Sequence, residues 1–174
     1  MNDIHLRPAT PTDILALGTL GRDSFVAKFG HLYEAADLDP FLVATYGEAA
    51  IASELANPTR LYHLAETAEG MLAGYCKLSL VCGWPQHARG ERTIELKQLY
   101  TDPALTGRGI GAALMDWVLA EARTRGRDEI QLSVWSENPG AQAFYERYGF
   151  AKVADVTFHV GSHVDHEFLF ARML

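Results

Sequence analysis

Apolar side chains recur at helical spacing in one long segment of the chain. Ile110, Leu114, Trp117, Val118 and Ala122 fall on one face of a 3.6-residue period. This spacing predicts a helix over residues 109–123. Residues 91–100, just before it, carry apolar side chains typical of a strand. The pattern therefore predicts a strand that leads through a turn into an amphipathic helix.

The rest of the chain shows shorter versions of the same two patterns. Their order is one strand, a helical block, three strands, a helix, a strand, a helix and two strands, which predicts an α/β fold with a mixed sheet. With no linker or repeat, the chain is interpreted as one domain over residues 1–174. The predicted strands are 4–7, 61–66, 71–81, 91–100, 130–135, 153–160 and 167–174, and the predicted helices are 37–46, 48–55, 109–123, 139–148 and one that begins at Thr10.

Composition narrows the function classes. The net charge of −7 argues against a general nucleic-acid surface and is compatible with either a cationic substrate or simple solubility. No apolar run approaches the length of a membrane span, and Met1 to His5 lack the features of a signal peptide, so we expect a cytoplasmic protein. Cys76 and Cys82 are expected on one strand, too far apart to pair, as reduced thiols.

The turn between the strand and the long helix is rich in glycine. Gly107, Gly109 and Gly111 would leave backbone N–H groups unshielded at a helix N-terminus, where a phosphate or pyrophosphate binds well, and Arg108 adds a cation. A turn whose glycines only relieve steric strain is the alternative. A P-loop is excluded because no lysine follows the glycines, and a dinucleotide fingerprint is disfavoured because residues 101–106 separate the strand from the first glycine.

Two blocks of the chain resemble the motifs of the GNAT superfamily of N-acetyltransferases. Residues 106–111, Thr-Gly-Arg-Gly-Ile-Gly, fit the acyl-CoA pyrophosphate loop [QR]-x-x-G-x-[GA] except at Thr106, where the family usually has Gln or Arg. Residues 138–150 resemble the later motif N-x-x-A-x-x-[FL]-Y-x-x-x-G-F. The resemblance implies a single-domain mixed sheet, mostly antiparallel, with splayed central parallel strands and flanking helices.

The resemblance also implies acetyl-CoA as co-substrate and no metal. Pyrophosphate would lie on Thr106, Gly107, Arg108, Gly109, Ile110, Gly111 and Ala112. The pantetheine arm would lie along Leu99, Tyr100 and Thr101, where a backbone N–H would stabilise the oxyanion, and near Asn138, Ala141 and Phe144. Asn138 also suits the role of a helix cap.

Two side chains are candidates for catalysis. Tyr145, placed by resemblance near the thioester sulfur, would protonate the departing thiolate; the alternative is an aromatic that packs beside Phe144. Glu95, in the strand before the loop, would deprotonate the amine directly or through water; the alternative is a solvated strand glutamate. Strand alternation predicts that Glu95 and Lys97 share a face with Leu99, so that Lys97 could pair with Glu95.

The histidines near the C-terminus do not form a compact metal-binding pattern. His159, His163 and His166 are explained by a polar hairpin turn over residues 161–166, which the resemblance places near the acceptor pocket. The exposed strand over residues 168–174 could join two copies into a homodimer, which the superfamily often forms.

The resemblance implies a primary amine as acceptor and leaves the identity of that amine open. Residues 134–138, 158–161 and 24–25 resemble the bacterial PaiA-like polyamine acetyltransferases, which implies spermidine or spermine. Acetylation of a protein lysine, a peptide N-terminus or another small amine is the alternative within the enzyme class. A catalytically inactive sensor that binds acyl-CoA is the alternative outside it.

Overall fold

The computed structural model describes residues 4–174 and contains a seven-stranded mixed sheet with the order β1-β2-β3-β4-β5-β7-β6. Met1, Asn2 and Asp3, part of the segment considered for a signal peptide, lie outside the described residues. All neighbouring strands pair antiparallel except β4 and β5, which are parallel. The strands are β1 His5–Pro8, β2 Arg60–Glu66, β3 Leu72–Ser79, β4 Thr93–Thr101, β5 Glu129–Trp135, β6 Ala151–Val160 and β7 His163–Met173.

Helices cover both faces of the sheet, as the alternation of helical and strand patterns predicts. On one face, Leu17 and Ile51 pack against Tyr75 of β3, and on the other face Leu114 is buried in the largest core cluster. None of the helices in residues 4–174 is long and apolar enough to cross a membrane. The helices are α1 Ile14–Phe29, α2 Ala35–Tyr46 and α3 Glu48–Ala56 on the first face, and α4 Ile110–Thr124 and α5 Pro139–Arg147 on the second.

The two parallel strands separate soon after they meet. They pair only where Thr93–Glu95 lie beside Glu129–Gln131, and beyond these residues no pairing joins them. The backbone groups that follow in β4 therefore have partners in β3 on one side and none in β5 on the other. The predicted mixed sheet with splayed central parallel strands is confirmed.

A β-bulge in β4 changes which side chains share a face. Lys77 pairs with Gln98 but Leu78 pairs with Leu96, so Lys97 is the extra residue. Glu95 and Gln98 consequently face the α1–α3 side, while Leu99 packs in the cluster with α4. The expectation that Glu95 and Lys97 share a face with Leu99 is wrong, because strict alternation does not hold across a bulge.

The C-terminal hairpin differs from its sequence-based prediction. β7 begins at His163, so residues 163–166 belong to the strand rather than to the predicted turn. β7 also lies between β5 and β6, and both of its edges are paired. The strand over residues 168–174 is thus not available to join two sheets, and that route to a homodimer is excluded. Cys82 likewise lies beyond the end of β3 rather than in it.

Gly74 of β3 allows a close approach between the sheet and α4. An added Cβ would lie 2.8 Å from the Tyr100 carbonyl oxygen and 2.9 Å from Cγ2 of Ile110. We expect Gly74→Ala to lower the free energy of unfolding by about 1–3 kcal/mol, because this backbone contact cannot yield without moving a strand. Urea titration measures the change.

Gly140→Ala is the matched control. Gly140 lies in α5, where the nearest atom to an added Cβ is 3.9 Å away, and alanine favours a helix over glycine. We expect this variant to be as stable as the wild type or more stable, by at most about 1 kcal/mol. Equal stability of the two alanine variants would contradict the tight packing at Gly74.

Candidate active site

A cavity of about 500 Å³ opens where β4 and β5 separate. Its walls come from α1, from the diverging ends of β4 and β5, from β6 and β7, and from α5. The side chains and backbone that line it belong to Ser24, Phe25, Ala27, Lys28, Phe29, Tyr33, Leu96, Lys97, Gln98, Leu99, Tyr100, Thr101, Pro103, Thr106, Ser133, Val134, Trp135, Asn138, Ala141, Tyr145, Phe158, Asp165 and Glu167.

Aromatic rings form much of the wall on the α1 side. Phe29 meets Trp135 edge to face at a centroid distance of 5.7 Å, and Phe25 stacks on Tyr33 at 5.8 Å. Phe158 of β6 contributes a further ring. Such a wall favours the methylene groups of a ligand and, through the faces of the rings, a cationic group.

The predicted phosphate loop lies at the N-terminus of α4. Gly107 and Gly109 have φ of +77° and +78°, a conformation that favours glycine, and Gly109 is the N-cap. No side chain caps this helix, so the N–H groups of its first turn remain available to an anion. Arg108 is exposed beside them, and Thr106 reaches the cavity wall. The arrangement can hold a pyrophosphate at the entrance of the cavity.

Five of the six predicted pantetheine residues lie along the wall of the cavity, and Phe144 does not. Leu99, Tyr100 and Thr101 line it and pair only with β3, so their free backbone edge can hydrogen-bond an extended ligand. Asn138 caps α5, since its Oδ1 accepts a hydrogen bond of 3.2 Å from the Ala141 N–H. Asn138 and Ala141 also line the cavity. The Phe144 ring packs beside α4 instead, 3.8 Å from the position of a Cβ added at Gly111.

Tyr145 faces the cavity from α5, as the resemblance implies. Its ring packs against Phe144 and Phe150 at centroid distances of 5.3 and 6.0 Å. Within residues 4–174 its hydroxyl has no hydrogen-bond partner. Burial raises the pKa of Tyr145, so the phenol keeps its proton at neutral pH. A fixed ring with a free, protonated hydroxyl is suited to donate a proton within the cavity.

Glu95 lies behind the cavity wall rather than on it. The side chain is buried, and its Oε1 lies 3.2 Å from Lys97 Nζ, so the predicted ion pair is present. Lys97 and Gln98 line the cavity, whereas Glu95 does not. The loop at Gly83 covers Glu95 so closely that a Cβ added at Gly83 would clash with the Glu95 carboxylate. Any proton that Glu95 receives from a ligand must therefore pass through an intervening group.

A group of polar residues on β7 is not among the site residues expected from the sequence. Asp165 and Glu167 line the cavity, and Tyr33 donates a 2.5 Å hydrogen bond to Asp165. Burial raises the pKa of the Glu167 carboxyl, and the nearby Asp165 charge adds to the increase. Their alternation along the chain was the available signal, but the predicted turn over residues 161–166 concealed it.

Two of the three histidines of this hairpin lie beside carboxylates, and His159 lies 3.4 Å from the Thr157 hydroxyl. His163 lies 3.1 Å from Asp165, and His166 lies 2.9 Å from Asp155 on the outer surface. Among the residues that the structure describes, no group of three or more metal-binding side chains forms. His159 lies in β6, and His163 and His166 lie in β7.

Comparisons with known proteins agree with this geometry. The model of the acetyltransferase (GNAT) family matches residues 26–150 of the chain. An uncharacterized N-acetyltransferase of Mycobacterium tuberculosis is 34% identical over 135 residues, which cover 77% of this chain and 80% of the relative.

Solved structures share the fold at lower identity. The PaiA N-acetyltransferase from Thermoplasma acidophilum, in complex with coenzyme A, has a TM-score of 0.79 at 20% identity, and the match covers 99% of each chain. The spermidine N-acetyltransferase from Vibrio cholerae, in complex with CoA and spermine, has a TM-score of 0.68 at 20% identity, over 98% of this chain and 95% of that one. The family match, the 34% identical relative and the splayed sheet lead to one conclusion: the chain belongs to the acetyltransferase (GNAT) family and is an N-acetyltransferase.

Proposed function

We propose that this protein transfers the acetyl group of acetyl-CoA to a primary amine by direct attack of the amine on the thioester. The observation that carries the proposal is the cavity between β4 and β5, which has Tyr145 in its wall and the open N-terminus of α4 at its entrance. A ligand with an anionic pyrophosphate and an extended, amide-containing arm fits both features.

Each part of acetyl-CoA has a matching group. The N–H groups of α4, with Arg108 and Thr106, hold the pyrophosphate, and the free edge of β4 at Leu99–Thr101 binds the pantetheine arm. A backbone N–H at the same edge stabilises the oxyanion of the tetrahedral intermediate, an effect worth several kcal/mol. Tyr145 donates its proton to the sulfur as the carbon–sulfur bond breaks.

The acceptor in this proposal is a polyamine such as spermidine or spermine. Aromatic rings and the carboxylates of Asp165 and Glu167 line the cavity together, and this combination suits a chain of methylene and ammonium groups. Two fold neighbours support the choice, since one is a PaiA N-acetyltransferase and the other is a spermidine N-acetyltransferase bound to spermine. In this proposal the reaction takes place in the cytoplasm.

We expect acceptor-dependent release of free thiol when the protein is mixed with acetyl-CoA and an amine panel. The panel contains spermidine, spermine, aminoglycosides, amino acids and lysine peptides, with a reaction without acceptor as control. We expect at least tenfold higher kcat/KM for the polyamines than for lysine peptides, because each further ammonium adds a charge-assisted contact of about 1.5 kcal/mol or more.

The other outcomes are equally informative. Faster acetylation of a peptide would contradict the polyamine acceptor but leave the transferase intact. No release with any amine, together with a higher melting temperature in acetyl-CoA, would identify a sensor, because a ligand stabilises only a fold that binds it. Neither release nor stabilisation would contradict the proposed function as a whole.

A further inference from the structure

The α1 side of the cavity, where we place the amine acceptor, contains a carboxylate that lies outside the family motifs. Glu167 lies in β7 opposite Trp135 of β5, and its half-buried side chain lines the cavity. It lies on the α1 side of the sheet together with Asp165, two residues earlier in the same strand. An amine that approaches along the aromatic wall meets both of these carboxyl groups.

Three carboxylates lie in the wall of the cavity or close to Glu167, and their partners differ. Glu95 is paired with Lys97 and is absent from the cavity lining. Asp165 accepts a hydrogen bond from Tyr33 and lies against His163. Glu167 has no basic side chain within salt-bridge distance in the part of the chain described here. It is therefore the cavity carboxylate without a salt-bridge partner, and Ser133 is its hydrogen-bond neighbour.

We propose that Glu167 accepts the proton that the acceptor ammonium must lose before it attacks acetyl-CoA. This assignment rests on the proposed function, since it concerns the same site. Its support is the position of Glu167 in the cavity wall, its freedom from ion pairs and the engagement of the other two carboxylates. The raised pKa of this carboxyl brings its basicity closer to that of the amine, which makes the transfer less unfavourable.

The protons and electron pairs of the reaction balance. One proton of the ammonium passes to the Glu167 carboxylate and from there to solvent. The nitrogen lone pair then forms a bond to the thioester carbon, and the carbon–sulfur pair leaves with the sulfur. Tyr145 donates a proton to that sulfur, and the second proton lost by the nitrogen restores the phenol through water. The products are the acetylated amine, free CoA and one released proton.

Several charged and titratable groups surround Glu167 and shape its pH response. Burial raises the pKa of the carboxyl most, and the charges of Asp165 of β7 and Glu95 of β4 add to the increase. A hydrogen bond with Ser133 of β5 and the charge of Lys97 of β4 lower this pKa. The remaining titratable groups that face it or share its cavity are Tyr33, Lys28, Tyr100 and Tyr145. Burial exceeds the opposing effects, so the pKa of Glu167 lies above its usual value of about 4.3.

The test compares Glu167→Gln, Glu167→Asp and wild-type protein across pH, with spermidine and with a monoamine acceptor. In the wild type we expect kcat/KM for the amine to decrease at pH values below the pKa of Glu167. Between that pKa and the pKa of the amine, we expect kcat/KM to be independent of pH. In Glu167→Gln we expect about a tenfold lower kcat at pH 7, because the proton then has to pass to water, which is a weaker base than a carboxylate. In this variant kcat/KM should rise continuously with pH and show no pH-independent region, because without the carboxylate only the neutral amine reacts.

Glu69→Gln, in an exposed hairpin turn, is the matched control for the change of charge. Glu167→Asp should restore the pH-independent region at a reduced rate, and melting curves with acetyl-CoA should show that every variant folds and binds the donor. An equal loss at every pH, or a higher KM with unchanged kcat, would overturn the assignment, because the first indicates packing and the second indicates binding alone. No transfer by the wild type would overturn the proposed function together with this assignment.

Discussion

Tyr145→Phe is expected to lower kcat by at least about 100-fold at neutral pH, since a positioned general acid typically contributes 10²–10⁴. The substitution removes one hydroxyl and leaves the ring in its contacts with Phe144 and Phe150. The departing thiolate then has to form without a proton donor in the cavity. Because the pKa of Tyr145 is raised by burial, wild-type phenol remains protonated throughout the neutral range. We therefore expect the ratio of wild-type to variant rates to be constant from pH 6 to pH 8.

The initial rate of free CoA release at saturating substrates gives kcat. Thermal shifts with acetyl-CoA report donor binding separately. Donor binding should be nearly unchanged, because the hydroxyl is needed only as the carbon–sulfur bond breaks. Tyr62→Phe is the control, since it removes a hydroxyl that lies 3.5 Å from Glu54, in the α3-side core cluster. Full activity of Tyr145→Phe would show that this tyrosine is a packing residue and that another group protonates the sulfur.

Gly111→Asp is expected to raise the KM for acetyl-CoA about 30-fold, which corresponds to about 2 kcal/mol, while kcat at saturating donor changes little. A carboxylate placed within a few ångströms of the pyrophosphate repels it by about 4 kcal/mol before screening by salt. The Cβ of the new side chain has room, because it would lie 3.7 Å from Leu99 and 3.8 Å from Phe144.

The stability of the unliganded variant distinguishes electrostatic repulsion of the pyrophosphate from disruption of the fold. Gly111 is the second residue of α4, where an acidic side chain interacts favourably with the helix dipole, so the free protein should be at least as stable as the wild type. Ala120→Asp is the control, because it adds the same charge to an exposed position later in the same helix. Equal KM values for the two variants would contradict a pyrophosphate site at this terminus.

Local patterns predicted the donor half of the site. The strand, the glycine turn and the amphipathic helix follow one another in sequence, so composition and spacing alone indicate an anion-binding helix terminus. In the same way, the block that begins at Asn138 includes its own cap and presents Tyr145 within the helix that Asn138 caps. Helix and strand bounds elsewhere agree to within a few residues, because each is set by a periodicity of neighbouring residues.

The acceptor half could not be predicted in this way. The bulge at Lys97 depends on pairing between two strands, and no feature within β4 indicates it. Tyr33 and Asp165 meet across 132 residues of sequence, and Glu167 reaches the cavity because β7 inserts between β5 and β6. These contacts form only when segments that are far apart in sequence become neighbouring strands of the sheet.

The sequence by itself thus determined the element order, the family motifs, the glycine loop of α4 and the position of Tyr145 in α5. Each of these depends on interactions within about a dozen residues, which a hydrophobic period or a glycine pattern records directly. The tertiary structure decided the opening between β4 and β5, the burial of Glu95 behind Lys97 and the exposure of Glu167 to the cavity. Strand order and register are set by the total apolar surface that the sheet buries, and that sum is a property of the whole chain.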